Sequence, residues 1–458
     1  MTAQKNGITQ GVIWKEMLRF FMPIMVGTLL QQLYNTIDCM ILSYFVGKQA
    51  LAAVGGSDQA IIWLIVNAFV ALSSGAGVVI SQHYGAKDHG RLTRGVHTAI
   101  WLGVICGGIM TVLGVVFAPM MLEALKTPAD TMEYSVQYLQ WYFAGMIPAM
   151  IYNMGSGILR AVGDSRRPLY YLMACTGVNV VLDLLFVAVF RWEVVGAALA
   201  TTLAQVVCAV LVMRRLLCCD DVYRVEPSKL RVDKGELGHM LRIGLPAAVQ
   251  SSMYNICNVL IQTAINSMGT DHVAAWSAFW KLEGVYWPVC NAIGIGVMTF
   301  VGQNYGAGKR GRIKESIRTG LLLHLAFSVV YSAILLLGRY LWVNLFAQGD
   351  VAVLQSGVEI VQYMAPFYLF FSFIEVISAA MRGVGKSASS AAITLVGICL
   401  LRMVLLKFVV FPHTSNFTVA MCYPITWGVT ATMYGVYHLC SRWVDKIPCE
   451  EPPVLYEE

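Results

Sequence analysis

Charge is what this chain has least of. Only 13% of its 458 residues are Asp, Glu, Lys or Arg, while 57% are hydrophobic and the mean hydropathy is +0.64. So little charge excludes an ordinary water-soluble domain. Segments of alternating polarity are also missing, and the apolar runs are too long for barrel strands, so helices are left as the way to satisfy the backbone in lipid. The 12 cysteines show no metal-type spacing, and even the vicinal Cys218 and Cys219 lie beside the cytoplasm, which argues against a zinc site or a disulfide framework. No G-x-x-x-x-G-K-[ST] stretch is present for ATP, and no HExxH or GxSxG for intramembrane catalysis. No basic cluster is interleaved with aromatics, so the net charge of +6 does not point to nucleic acid. A cleavable signal is not expected either, because the polar MTAQKNGITQGVIWKEM leads straight into a full-length apolar run.

What is present is a series of twelve apolar runs, near 18–44, 60–81, 96–118, 134–158, 169–190, 194–214, 243–268, 273–301, 316–338, 357–380, 389–410 and 417–440. Each is long enough to cross a hydrocarbon core, which takes roughly 20 residues. The basic residues orient them. With the N-terminus inside, 25 of the 32 Lys and Arg fall in cytoplasmic segments. Lys48, Lys126, Arg191 and Arg339 fall outside, and Lys281, Arg402 and Lys407 lie within spans. Both termini are therefore expected in the cytoplasm.

The second half of the chain repeats the first. LRAVGDS (159–165) lies on MRGVGKS (381–387) at an offset of 222, and GAGVVISQHYGA (75–86) lies on GVMTFVGQNYGA (296–307) at 221. Pro23 matches Pro246, and Gly47 matches Gly269. An offset of six spans, an even number, keeps both copies in one orientation. The expected fold is an all-α membrane protein of twelve transmembrane helices, built as two six-helix bundles about a pseudo-two-fold axis along the membrane normal. The expected divisions are an N-terminal bundle (1–216), a charged cytoplasmic linker (217–240), a C-terminal bundle (241–441) and a cytoplasmic tail (442–458). Two such bundles can rock about a central cavity, so the architecture favours transport.

Asp38 stands inside the first span. A carboxylate at membrane depth normally faces a cavity or a partner and often marks an ion path. Gln31, Asn35 and Asp38 recur at helical spacing and form a polar stripe, and the fifth span carries Asn179 and Asp183 at i, i+4. Counted from Lys48 and Arg191, the two aspartates lie about 15 and 12 Å below the outer flank. Thr201 enters at a similar depth from the sixth span. Two carboxylates close together in a low dielectric do not both ionise easily, so the group suits a proton or a hard cation such as Na⁺. The alternative is a structural hydrogen-bond knot joining three helices.

The second bundle lacks this arrangement. Near the counterpart of Asp183 it has Arg402, and its acids are Glu283 and Glu375. A buried Glu283–Arg402 ion pair is the structural alternative to a functional role for Glu283, and Glu375 reads either as a further acid site or as an interfacial acid near Arg382. His83 and His97 read as exposed or interfacial. Tyr34, Tyr152, Tyr254, Trp280 and Tyr286, with Glu283 and Glu375, are candidate walls of a substrate cavity. Aromatic and Met-rich surfaces accept varied organic cations, although a lipid-facing or packing role accounts for any one of these residues more simply.

The segments LYNTIDCMILSYFVG, LAAVG, ISQHYGAKD, VGQNYGAGK, LRAVGDSRRP, MRGVGKS and NVVLDLLFV followed by GAALATTLAQ together resemble the multidrug and toxic compound extrusion (MATE) transporters, and KLEGVYWPVCNAIGIGVMTFVGQN and YPITW resemble a bacterial branch of that family. The likeness covers nearly the whole chain. It implies a cation-coupled antiporter that exports amphipathic organic cations by rocker-switch alternating access. It also implies that Asp38, Asn179, Asp183 and Thr201 form the proton or Na⁺ site. No cofactor is expected beyond the coupling ion, and no nucleic-acid partner. A monomer in the cell membrane, working on small organic substrates, is expected. The runner-up readings are a lipid-linked precursor flippase, disfavoured by the weakly cationic spans, and an intramembrane enzyme.

Overall fold

The structure is a computed structural model that describes residues 7–125, 127–347 and 349–447. Lys126, the first few residues and the end of the tail lie outside the described residues. Among those described there are helices and no strands. Twelve long helical elements follow the twelve apolar runs. They are α1 (Ile13–Phe45), α2 (Ser57–Gly85), α3 (His89–Ala124), α4 (Ala129–Ala144, then Met146–Ala161), α5 (Arg166–Asp183) and α6 (Glu193–Cys218). The second set is α7 (Lys234–Asn266), α8 (Thr270–Gly306), α9 (Arg310–Leu337), α10 (Val351–Met364, then Tyr368–Gly383), α11 (from Ser387–Thr394 to Leu406–Val410) and α12 (Asn416–Ser441). Eight of the twelve are long and apolar enough to span a membrane by length and composition alone. The protein is an all-α membrane protein of two six-helix bundles.

The internal repeat extends to backbone irregularities. Gly145 breaks α4, and 222 residues later a 3-10 turn, Ala365–Phe367, breaks α10 around Pro366. α5 ends in a π-helical stretch, Leu184–Val189, and at the same offset α11 ends in Leu406–Val410, again π-helical. Gly163 and Gly385, in the matching LRAVG and MRGVG turns, have φ of 98° and 83°. A Cβ is disfavoured there, which explains the repeated glycine.

The chain divides into two compact units. One is Met22–Ala248; the other joins the described residues up to Phe21 to those from Val249 onward. The divisions fall beside Pro23 in α1 and Pro246 in α7, where a proline removes an i→i−4 hydrogen bond from the helix interior. The start of α1 therefore packs with the C-terminal set and the start of α7 with the N-terminal set. The linker also belongs to the N-terminal unit. His97 Nε2 on α3 accepts from the Glu226 N–H (2.9 Å), and the Thr98 hydroxyl accepts from the Asp233 N–H (3.0 Å). His97 is thus a buried structural residue and not an exposed one.

Within each unit, small residues let helices approach closely, as bilayer packing favours. Gly107 on α3 lies against the Met146–Ile147 backbone of α4, and Gly155 on α4 against Val212 of α6. In the other unit Gly320 on α9 meets Val297 of α8, and Gly383 on α10 meets the Met298 carbonyl and Val301.

Candidate functional site

In the N-terminal unit α1, α5 and α6 bring four of the expected residues inside. Asp38 is 6% exposed, Asn179 1%, Asp183 0% and Thr201 5%. Asn179 Nδ2 approaches Thr201 Oγ1 at 3.4 Å, a long hydrogen bond. Asp38 and Asp183 lie within electrostatic reach of each other, and Asp38 is also within reach of Tyr34, Tyr138 and Tyr142. A narrow crevice lined by Tyr34, Thr176, Asn179, Thr201 and Gln205 runs beside them.

The distinguishing property of the cluster is unmet hydrogen-bonding capacity. Oδ1 of Asp38, both carboxylate oxygens of Asp183, Oδ1 of Asn179 and the Thr176 hydroxyl are buried with no hydrogen-bond partner among the described residues. An unpaired buried carboxylate costs several kcal/mol, and two side by side cost more. A proton shared between the acids, or a hard cation held by carboxylate, amide and hydroxyl oxygens, removes that cost. The donor set fits either ion.

Gln31 and Asn35 do not join this group. Both side chains are exposed, so only Asp38 of the stripe turns inward. Tyr34 lines the crevice. Tyr152 packs against Cys175, Ala204 and Cys208 and donates to the Pro168 carbonyl at 3.2 Å. Sequence reasoning missed Asp58, in the first turn of α2. It is fully buried, and neither oxygen makes a hydrogen bond of good geometry among the described residues, with the Ser135 hydroxyl nearby. Its short distance from an N-terminal turn was the available signal, since helix N-termini favour acids.

The C-terminal unit handles its acids differently. Glu283 accepts from the Tyr368 hydroxyl at 2.5 Å and from Trp287 Nε1 at 3.3 Å. Tyr286 is fully buried and bonds Ser328 (3.1 Å) and the Tyr368 carbonyl (3.3 Å), so it belongs to the core and not to a cavity wall. Ser328 and Ser372 in turn reach Nδ1 of the buried His324 at 3.3 and 2.8 Å. This network was not foreseen, because its members are distributed over α8, α9 and α10.

The alternative Glu283–Arg402 pair does not form. No carboxylate among the described residues lies within 4.0 Å of Arg402, because Glu283 is already held by Tyr368 and Trp287. Arg402 is fully buried, donates from Nη2 to Thr426 Oγ1 at 3.2 Å, and lies 4.4 Å from the Tyr423 ring centre and 5.5 Å from that of Tyr254. Cation–π contacts of this kind contribute about 0.5–2 kcal/mol, less than the several kcal/mol that an isolated buried charge costs. Glu375 pairs with Arg382 at 3.8 Å, the interfacial alternative, and lies over Gly294 of α8. Trp280 packs 6.1 Å from Trp276. His83, read as exposed or interfacial, is bonded to the buried Glu236 of α7 at 2.8 Å.

The sequence profile of the MatE family matches residues 23–185 and 246–407, one stretch in each half and most of the chain in sum. The chain belongs to the MatE family. This MatE chain is 26% identical over 398 residues to a probable multidrug resistance protein, YoeA, of Bacillus subtilis, covering 84% of this chain and 85% of that one. It is 25% identical over 390 residues to the multidrug export protein MepA of Staphylococcus aureus, covering 83% and 84%. Among solved structures, its fold is similar to that of a MOP superfamily transporter from Pyrococcus furiosus, described as having a binding pocket of reverse polarity. That match has a TM-score of 0.89 at 22% identity, over 97% of this chain and all of the other. An outward-facing multidrug resistance MATE transporter matches equally well, with a TM-score of 0.89 at 21% identity and the same coverage. As a MATE family member the protein is a multi-pass membrane transporter and not an enzyme.

Proposed function

We propose that this MATE protein exports amphipathic, cationic organic compounds in exchange for H⁺ or Na⁺ by rocker-switch alternating access. It acts as a monomer in the cell membrane, with both termini in the cytoplasm. Multidrug export is the function named for its relative in Staphylococcus aureus, and multidrug resistance, as probable, that named for its relative in Bacillus subtilis. The observation that carries the coupling is the group of unpartnered buried oxygens on Asp38, Asp183 and Asn179. A site whose acids are satisfied by neither base nor hydrogen-bond donor gains free energy by taking up a cation.

In the proposed cycle the inward-open protein binds drug while Asp38 and Asp183 are discharged. Reorientation then exposes the cavity outward, and cation uptake at the two carboxylates releases the drug. The membrane supplies phospholipid contacts, and no cofactor takes part beyond the coupling ion.

Ethidium efflux from proteoliposomes under an imposed pH or Na⁺ gradient tests the reading. One gradient drives wild-type efflux, and folded Asp38→Asn and Asp183→Asn variants lose the response. Wild-type protein that moves no dye under either gradient would falsify it.

A further inference from the structure

Arg402 carries a second unmet requirement, opposite in sign to that of the aspartates. It sits in the short α-helical segment Leu401–Leu405 of α11, and its side chain is fully buried. Nη2 is used by Thr426, whose own hydroxyl donates back to the Cys422 carbonyl at 2.7 Å. The aromatic rings of Tyr423 and Tyr254 lie within cation–π range of the guanidinium. No hydrogen bond of good geometry reaches Nε or Nη1 among the described residues, although the Tyr254 hydroxyl lies near enough to interact with the guanidinium. The groups in direct contact with this permanent cation are neutral, and Glu283, which is felt by the same two tyrosines, is held by Tyr368 and Trp287 instead; an arginine does not discharge inside a protein.

The chemistry that would complete this site is an anion in the plane of the guanidinium. Rings attract a cation through its faces, whereas halides and carboxylates approach its N–H edges. The contacting residues Tyr254, Tyr423 and Thr426 add no second positive group, which disfavours phosphate and other multiply charged anions. The backbone on either side of Arg402 is π-helical, at Leu395–Leu400 and Leu406–Val410. Single-turn π segments recur at functional sites, where they break the regular hydrogen-bond ladder.

We propose that Arg402 is the centre of a monovalent-anion site in the C-terminal unit, taking either a halide ion or the carboxylate of an organic substrate. The inference is independent of cation coupling, and its test uses no gradient.

Equilibrium binding of radiochloride and of radiolabelled benzoate to the purified full-length protein decides it. Wild type is expected to bind at least one of the two saturably, with one site per chain. Arg402→Gln is expected to weaken binding by about tenfold or more, the scale of a lost charge-assisted contact, and Arg402→Lys to retain part of it. Chloride that benzoate displaces marks a site open to carboxylate-bearing substrates. Chloride that benzoate leaves in place marks a resident halide. Wild-type protein that binds neither anion overturns the proposal, whatever the variants do. A folded Arg402→Gln protein that binds as wild type does overturns it as well.

Discussion

The two halves of this transporter share a frame and differ in the charge they bury. Both have a break in the fourth helix of the set, a π-helical end to the fifth, and left-handed glycines at matching turns. On that common frame the N-terminal unit holds three buried aspartates, Asp38, Asp58 and Asp183, with unfilled acceptors, whereas the C-terminal unit holds a glutamate with two donors and an arginine with unfilled donors. Backbone geometry survives duplication because a helix break or a positive φ constrains one or two residues. Buried charge is set by distant partners, so the copies can take opposite solutions.

The largest expected effect tests whether the units divide their labour in this way. Asp38→Asn or Asp183→Asn should reduce gradient-driven ethidium efflux to the level of protein-free liposomes. Glu283→Gln, whose parent is already hydrogen-bonded, should leave the response to the gradient in place. Equal loss in both units would erase the distinction.

A stability comparison comes next. Tyr368→Phe removes the shorter of the two bonds to Glu283 and should cost about 1–3 kcal/mol, the penalty of an under-satisfied buried acid. Thr201→Val breaks only the long contact to Asn179 and should cost about 0.5–1 kcal/mol. Thermal unfolding in detergent reads both. The reverse order would mean that the aspartate cluster is the tighter network and a structural knot.

A smaller effect addresses the frame. Lys87 (φ 56°) and Gly308 (φ 66°) occupy equivalent left-handed positions after α2 and α8, each followed by a matching turn bond, Asp88 N–H to the His83 carbonyl and Lys309 N–H to the Asn304 carbonyl. Lys87→Gly should stabilise the protein by about 1 kcal/mol, and Gly308→Ala should destabilise it by a similar amount. Unequal responses in unfolding would show that the two turns are not equivalent.

The weakest effect lies in the linker, which has no counterpart in the repeat. The N–H groups of Glu236 and Gly235 hold the Asp233 carboxyl below the usual carboxylate range, with Arg94 adding to the effect. A depressed value means that this contribution is present above the ordinary Asp pKa and is lost as pH falls through the lowered one. Proteolysis of the linker should therefore accelerate only on strong acidification, and Asp233→Asn should remove the dependence.

The twelve helices were legible because each is an apolar run bounded by charge, and the duplication because its turns keep their glycines. Asp38, Asn179, Asp183 and Thr201 were legible as well, since helical spacing and depth can be counted along a chain. Which partners meet across helices could not be counted. Glu283 and Arg402 were weighed as a pair because both are charged and buried. Instead Tyr368 and Trp287 satisfy the acid, and helix rotation, which no single-chain pattern encodes, turns Arg402 toward Tyr423 and Thr426. His324 and Glu236 were missed for the same reason, as their partners lie on other helices.

The division of α1 at Pro23 and of α7 at Pro246 bears on how the chain can be cut and rejoined. Severed in the linker, the N-terminal fragment would carry residues 7–21, which pack with the other unit, and would lack residues 234–248, which complete its own. Neither fragment is self-sufficient, and each holds a piece of its partner. Co-expressed halves should therefore rescue one another, while either half made alone should be cleared by the cell's proteases.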